Sequence, residues 1–171
     1  MQRNHRFLGI AAIALAIGLA GANDADACSC VGWTRLEETA KLADAVLVGQ
    51  VVSHFVLKDP NPDEGQSVAY MHVQVLESIR GPSKGLRIRV WDRGWGSTCS
   101  ASLSQFPRGA IVGLALERNK EYRKDQGPHG LTIETSDFLM GPCAEYGRVM
   151  ASLEEGHKFV AQMTKGAKRG K

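Results

Sequence analysis

The chain has 171 residues, with 21 Lys and Arg against 18 Asp and Glu for a net charge of +3, 43% hydrophobic residues and four cysteines. This is ordinary globular composition, and it excludes a disordered chain, a collagen-like repeat and a cysteine-packed toxin scaffold. One domain with its own hydrophobic core is expected at this length.

Residues 1–27 read as a secretory signal peptide: Arg3 and Arg6 precede an uncharged apolar run from Phe7 to Ala22, and Ala25 and Ala27 suit cleavage after Ala27. The run is shorter than the roughly 20 apolar residues of a membrane span. A lipoprotein signal would want a Leu-like residue at Ala25 and a small one at Asp26. The expectation is an exported protein, periplasmic or extracellular, that starts at Cys28 and is not stably inserted in a membrane. Its domain spans 28–163, and 164–171, with Lys165, Lys168, Arg169 and Lys171, is a flexible basic tail.

Thr34 is placed to cap a short helix from Arg35 to Leu42, with Glu37 as its capping-box partner. The Val-rich run 45–57 follows as a first strand, and Gly49 inside it marks a bend or bulge. Residues 58–66, with two Pro and a Gly, read as a loop. Ser67 to Ile79 alternates as a second strand that pairs with the first in a hairpin, and 80–85 is a turn. In a third strand Leu86, Ile88 and Val90 face one way, and Arg87, Arg89 and Trp91 the other. A Gly- and Ser-rich stretch, 92–104, carries Cys99. Residues 110–116 form a fourth strand, 118–130 a charged loop and 131–135 a fifth strand. A helix over 145–163, with Val149, Leu153, Val160 and Met163 as its buried stripe, completes the domain. Five short, curved strands with flanking helices predict a mainly β, OB-like barrel; a β-sandwich is the alternative, because strand count does not separate the two.

All four cysteines lie beyond the cleavage site, and an even number in an exported chain predicts two disulfides. The spacing of Cys28, Cys30, Cys99 and Cys143 includes no C-x-x-C pair and no paired His of the zinc-site kind. Three connectivities are open at this level. No nucleophile elbow, zinc-protease, P-loop or dinucleotide motif is present. His54, His72, His129 and His157 have no ligand spacing, and Glu37-Glu38 and Glu154-Glu155 read as solvated helix faces, so neither enzyme activity nor a cofactor is expected. Arg87, Arg89, Trp91, Arg93 and Trp95 form a basic and aromatic cluster, a candidate surface for a glycan, an envelope component or a protein. Export argues against nucleic acid as its partner.

The opening Cys28-Ser29-Cys30-Val31, the strand ADAVLVGQVV and the distant Cys99 and Cys143 resemble the N-terminal, netrin-like domain of the tissue inhibitors of metalloproteinases. The resemblance runs from Cys28 to about Cys143; Gly32 stands where a proline is common in that family. It implies an OB-fold barrel with Cys28 joined to Cys99 and Cys30 to Cys143. Each of those loops would stabilise by about 4–5 kcal/mol on the loop-entropy model, although overlapping loops do not add. It also implies a zinc metalloprotease as partner. The main-chain N and O of Cys28 would ligate the protease's zinc, Ser29 would enter the pocket beside it, and Val31, Ser97 and Thr98 would complete the contact ridge.

Overall fold

A computed structural model describes residues 34–58, 66–92, 103–121, 130–141 and 145–168. Helix α1 (Leu36–Leu42) buries Leu36, Thr39 and Ala40, positions that share one helical face. Its cap differs from the expected one. Arg35 occupies the N-cap position without a side-chain bond, and the Leu36 N–H donates instead to Glu145 Oε2 at 3.1 Å. A carboxylate from far along the chain thus satisfies one of the helix's open donors.

Strands β1 (Ala45–Lys58) and β2 (Gln66–Arg80) form the antiparallel hairpin read from the sequence, with register shifts between Val48 and Gly49, Val51 and Ser53, and Phe55 and Val56. Gly49 is required by space: a Cβ there would lie 2.3 Å from Val73 Cγ1 and 3.0 Å from the Gln74 carbonyl oxygen. The turn after β2 uses Gly81 and Gly85 at φ of 102° and 88°, conformations that favour glycine. Then follow β3 (Arg87–Asp92), a 3-10 turn (Leu103–Gln105), β4 (Ile111–Arg118), β5 (Phe138–Met140), β6 (Gly147–Met150) and helix α2 (Leu153–Lys168).

The strands pair in the order β1-β2-β3-β5-β4, and β4 returns to β1, so five strands close on themselves; β6 adds to the free part of β4. Every pairing is antiparallel except β3 with β5, which is parallel. Circular pairing rules out the sandwich, whose two sheets keep open edges, and the order fits an OB-like barrel. Leu47, Val73, Val90 and Leu114 fill the interior, and Leu103 and Phe106 pack into the same core. Outside the barrel, α1 and α2 cover Val46, Val48 and Ala115 with Leu36, Ala40 and Phe159. Because β1 is buried on both faces over this stretch, it reads as an unbroken apolar run.

Further expectations are corrected. The fifth strand lies at Phe138–Met140, while Ile133, inside the expected segment, makes only an isolated bridge. The expected helix over 145–163 divides into β6 and α2, since Gly147 to Met150 completes the hydrogen bonding of β4. Of its expected stripe, Val149 and Leu153 are 44% and 43% exposed, Val160 and Met163 pack against the outer cluster, and Phe159 is the buried anchor. Helix α2 also takes in Lys165 and Lys168 of the expected tail.

Candidate functional site

Strand register arranges side chains in rows across the outer face of β1, β2 and β3. Phe55 pairs with Tyr70 and Tyr70 with Trp91; the next row is Ser53, His72 and Arg89. The Phe55 and Tyr70 rings stack in parallel with centroids 4.8 Å apart, and the Tyr70 and Trp91 rings, tilted by 49°, are 4.7 Å apart. The Arg89 guanidinium carbon lies 5.5 Å from the Tyr70 ring centre and 5.4 Å from that of Trp91. Cation–π contact and ring stacking therefore join the two rows.

Asp137, the residue before β5, holds this face to the barrel. Its carboxylate accepts bonds of 2.8 Å from Arg89 Nε, Arg89 Nη2, Trp91 Nε1 and the Glu134 main-chain N–H. The side chain is only 3% exposed, and a second carboxylate, Glu134, lies 3.6 Å from Arg89. Burial works against the Arg89 charge, but the hydrogen bond and charge of Asp137 outweigh it and raise the guanidinium's pKa. Trp91 is itself 1% exposed, packed with Ala69, Ile133 and Leu139. Within the basic and aromatic cluster, then, Trp91 is covered, Arg89 is paired and Arg87 is exposed. Arg93 and Trp95 lie outside the described residues.

His72 Nδ1 and Ser53 Oγ are 3.1 Å apart, and Arg87 Nη2 reaches across β2 to donate to Ser53 Oγ at 3.2 Å. Burial first, and then the charges of Arg87 and Arg89, push the His72 pKa below 6.5, with Asp137 opposing only in part. A neutral imidazole follows at neutral pH, so the exposed positive charge of this face rests on Arg87. Sequence reasoning missed Phe55, Tyr70 and Ser53 as its members. The alternation of β2 places Tyr70 and His72 on one side, but the bulges that bring Phe55 and Ser53 beside them leave no local mark in the residues.

The inhibitor-like residues Cys28, Ser29, Cys30, Val31, Ser97, Thr98, Cys99 and Cys143 lie outside the described residues. The chain on their flanks is described. Glu145 N–H donates to the Thr34 carbonyl oxygen at 2.9 Å, while the Glu145 carboxylate binds the Leu36 N–H and Arg148 Nε, the latter at 2.9 Å. Burial raises the Glu145 pKa less than its bonds from Arg148 and Leu36 lower it, so the carboxyl stays ionised below its ordinary range. Arg148 also reaches Glu37 Oε1 at 3.2 Å and ties α1 to β6. Phe106, a few residues past Cys99, packs where a Cβ on Gly147 would lie 2.9 Å from its ring.

Between the end of α1 and β4 lies a shallow polar cavity of about 280 Å³, lined by Asp44, Arg118, Asn119 and Lys120 among others. Among the described residues no group of His, Cys, Asp and Glu is arranged to hold a metal ion. No helix among them is long and apolar enough to cross a membrane. No protein-family model matches this chain, and no curated protein matches it.

Proposed function

We propose that the chain is an exported binding module similar to the tissue inhibitors of metalloproteinases, with a netrin-like barrel that presents its N-terminal segment to a zinc protease. The observation that carries this reading is the bond from Glu145 N–H to the Thr34 carbonyl oxygen. Thr34 is four residues after Cys30 and Glu145 two after Cys143, so the flanks of one implied disulfide are joined. At no more than about 3.3–3.6 Å per residue, segments of four and two residues are short enough to be compatible with a bond between Cys30 and Cys143. Phe106, seven residues after Cys99, approaches Gly147, two residues after Glu145, which is compatible with the second pairing.

In this reading two disulfides, Cys28 to Cys99 and Cys30 to Cys143, fix an N-terminus that would otherwise fray. The free amine and the carbonyl oxygen of Cys28 then form a chelate on the protease's zinc, which has three protein ligands and an open position. Ser29 enters the adjacent pocket, and Val31, Ser97 and Thr98 contact the rim. The amine binds only as its neutral form, so proton and metal compete for one lone pair.

The test compares the exported protein with a form carrying one Ala before Cys28, against a panel of extracellular zinc proteases. Inhibition by the native form and at least tenfold weaker inhibition by the extended one is expected. Equal inhibition by both refutes the chelate, and inhibition of no protease by the native form refutes the reading. Intact mass and disulfide mapping of the same sample give the mature N-terminus and the pairing.

A further inference from the structure

Strand β1 has 14 residues, yet β4 pairs with it only over Ala45–Gln50, and the bonds of Val51 to Gly109 and Ala110 end that pairing. From Ser53 onward the edge of β1 opposite β2 has no main-chain partner among the described residues. Unpaired strand edges are templates for another chain. Two apolar side chains, Phe55 at 37% and Val56 at 42% exposure, stand on this stretch. Register shifts lie between Val51 and Ser53, at its start, and between Phe55 and Val56, within it, and bulges of this kind re-aim side chains beside binding sites.

Charge decides what such a segment carries. Arg89 is consumed by Asp137 and Glu134. Arg87, exposed and paired with no carboxylate among the described residues, extends over β2 to Ser53 Oγ, so its guanidinium lies on the outer face beside the strand that carries the open edge. We infer that the edge of β1 from Ser53 to Leu57 binds a short, extended acidic segment of a partner protein. Main-chain bonds run along the edge, a carboxylate of the segment forms a forked pair with Arg87, and its apolar side chains lie on Phe55 and Val56. An acidic glycan would satisfy Arg87 but leave the strand's N–H and C=O groups unused. This surface is independent of the Cys28 amine, so it goes beyond the inhibitor reading.

The test is a selection of random ten-residue peptides displayed against the full exported protein, followed by affinity measurements on synthetic copies of the enriched sequences. Enrichment of Glu or Asp alternating with apolar residues is expected. Affinity should fall at least tenfold in Arg87→Gln, and at least tenfold when alternate peptide amides are N-methylated, with Phe55→Ser intermediate. Arg87 is exposed, so the variant folds as the native chain does, and far-UV circular dichroism checks it. Enrichment without acidic residues, unchanged affinity in Arg87→Gln, or indifference to N-methylation overturns the proposal. So does binding of polygalacturonate by a protein that enriches no peptide. The Ala-extended protein should bind the peptides as the native one does, so failure of the chelate and failure of this edge are read separately.

Discussion

Replacing Asp137 with Ala removes the acceptor of four donors at once, each at 2.8 Å, from a side chain only 3% exposed. Breaking a buried ion pair by deleting one member costs about 3–5 kcal/mol. The Trp91 indole N–H, left in an apolar pocket, accounts for about 1–3 kcal/mol of that as an unsatisfied donor. Arg89 keeps a quarter of its side-chain exposure and a carboxylate, Glu134, at 3.6 Å, so the lower end applies, about 3 kcal/mol. For a domain of this size the loss corresponds to a Tm lower by about 10 °C. In urea, with m near 2 kcal/mol/M, the midpoint should fall by about 1.5 M at unchanged m. Asp137→Asn, which keeps an acceptor but not the charge, should lose about half as much. In a cycle with Arg89→Met, the double variant should be more stable than the two single losses added together. A loss under about 1 kcal/mol in Asp137→Ala would show that Arg89 and Trp91 are held by packing alone.

Glu145 stays ionised below its ordinary range, so its contribution is present above pH 4.5 and lost as pH falls through the lower folded value. Glu145→Gln should flatten the acid limb of the stability–pH curve measured by urea unfolding. The folded pKa of His72 is lowered, so below pH 6.5 the unfolded chain takes up the proton first and stability declines as pH falls, until the folded value is passed. His72→Gln should remove that decline below pH 6.5, read from Tm in a buffer series. Gly113→Ala places a methyl 2.3 Å from Met150 Cε and 3.2 Å from the Phe159 ring; the Met end yields more easily than the ring. A loss of about 1–3 kcal/mol is expected by overpacking, checked by chemical denaturation.

What the residues disclose depends on whether burial is one-sided. Strand β2 is legible because Met71, Val73 and Val75 are buried while His72 and Gln74 are only partly covered. Residues 131–135 alternate and contain β-branched side chains, which is why they read as a strand; they lack a partner ladder. Phe138, Leu139 and Met140 are all buried, and three consecutive apolar residues carry no period. Strand β6 was hidden for a different reason: four residues ahead of a helix give no room for either pattern to declare itself. At the candidate site, the alternation around Arg87 and Arg89 was readable. The role of Asp137 was not, because an acid before an apolar triplet reads as a loop residue until the parallel pairing with β3 brings it under Trp91.

That parallel pairing also bears on how the chain finds its fold. The hairpin joins Lys58 to Gln66, neighbours in sequence, whereas the closing seam joins Val90 to Phe138 over only three residue pairs. Loop closure across such a separation is entropically dearer and slower than zipping a hairpin. The barrel is therefore expected to close late in its assembly, when Asp137 meets Arg89 and Trp91. Strand β5, held by three residue pairs to β3 and by only two to β4, is where the native cylinder is expected to open first. Hydrogen exchange at the amides of β5 should accordingly be faster than in the β1–β2 hairpin.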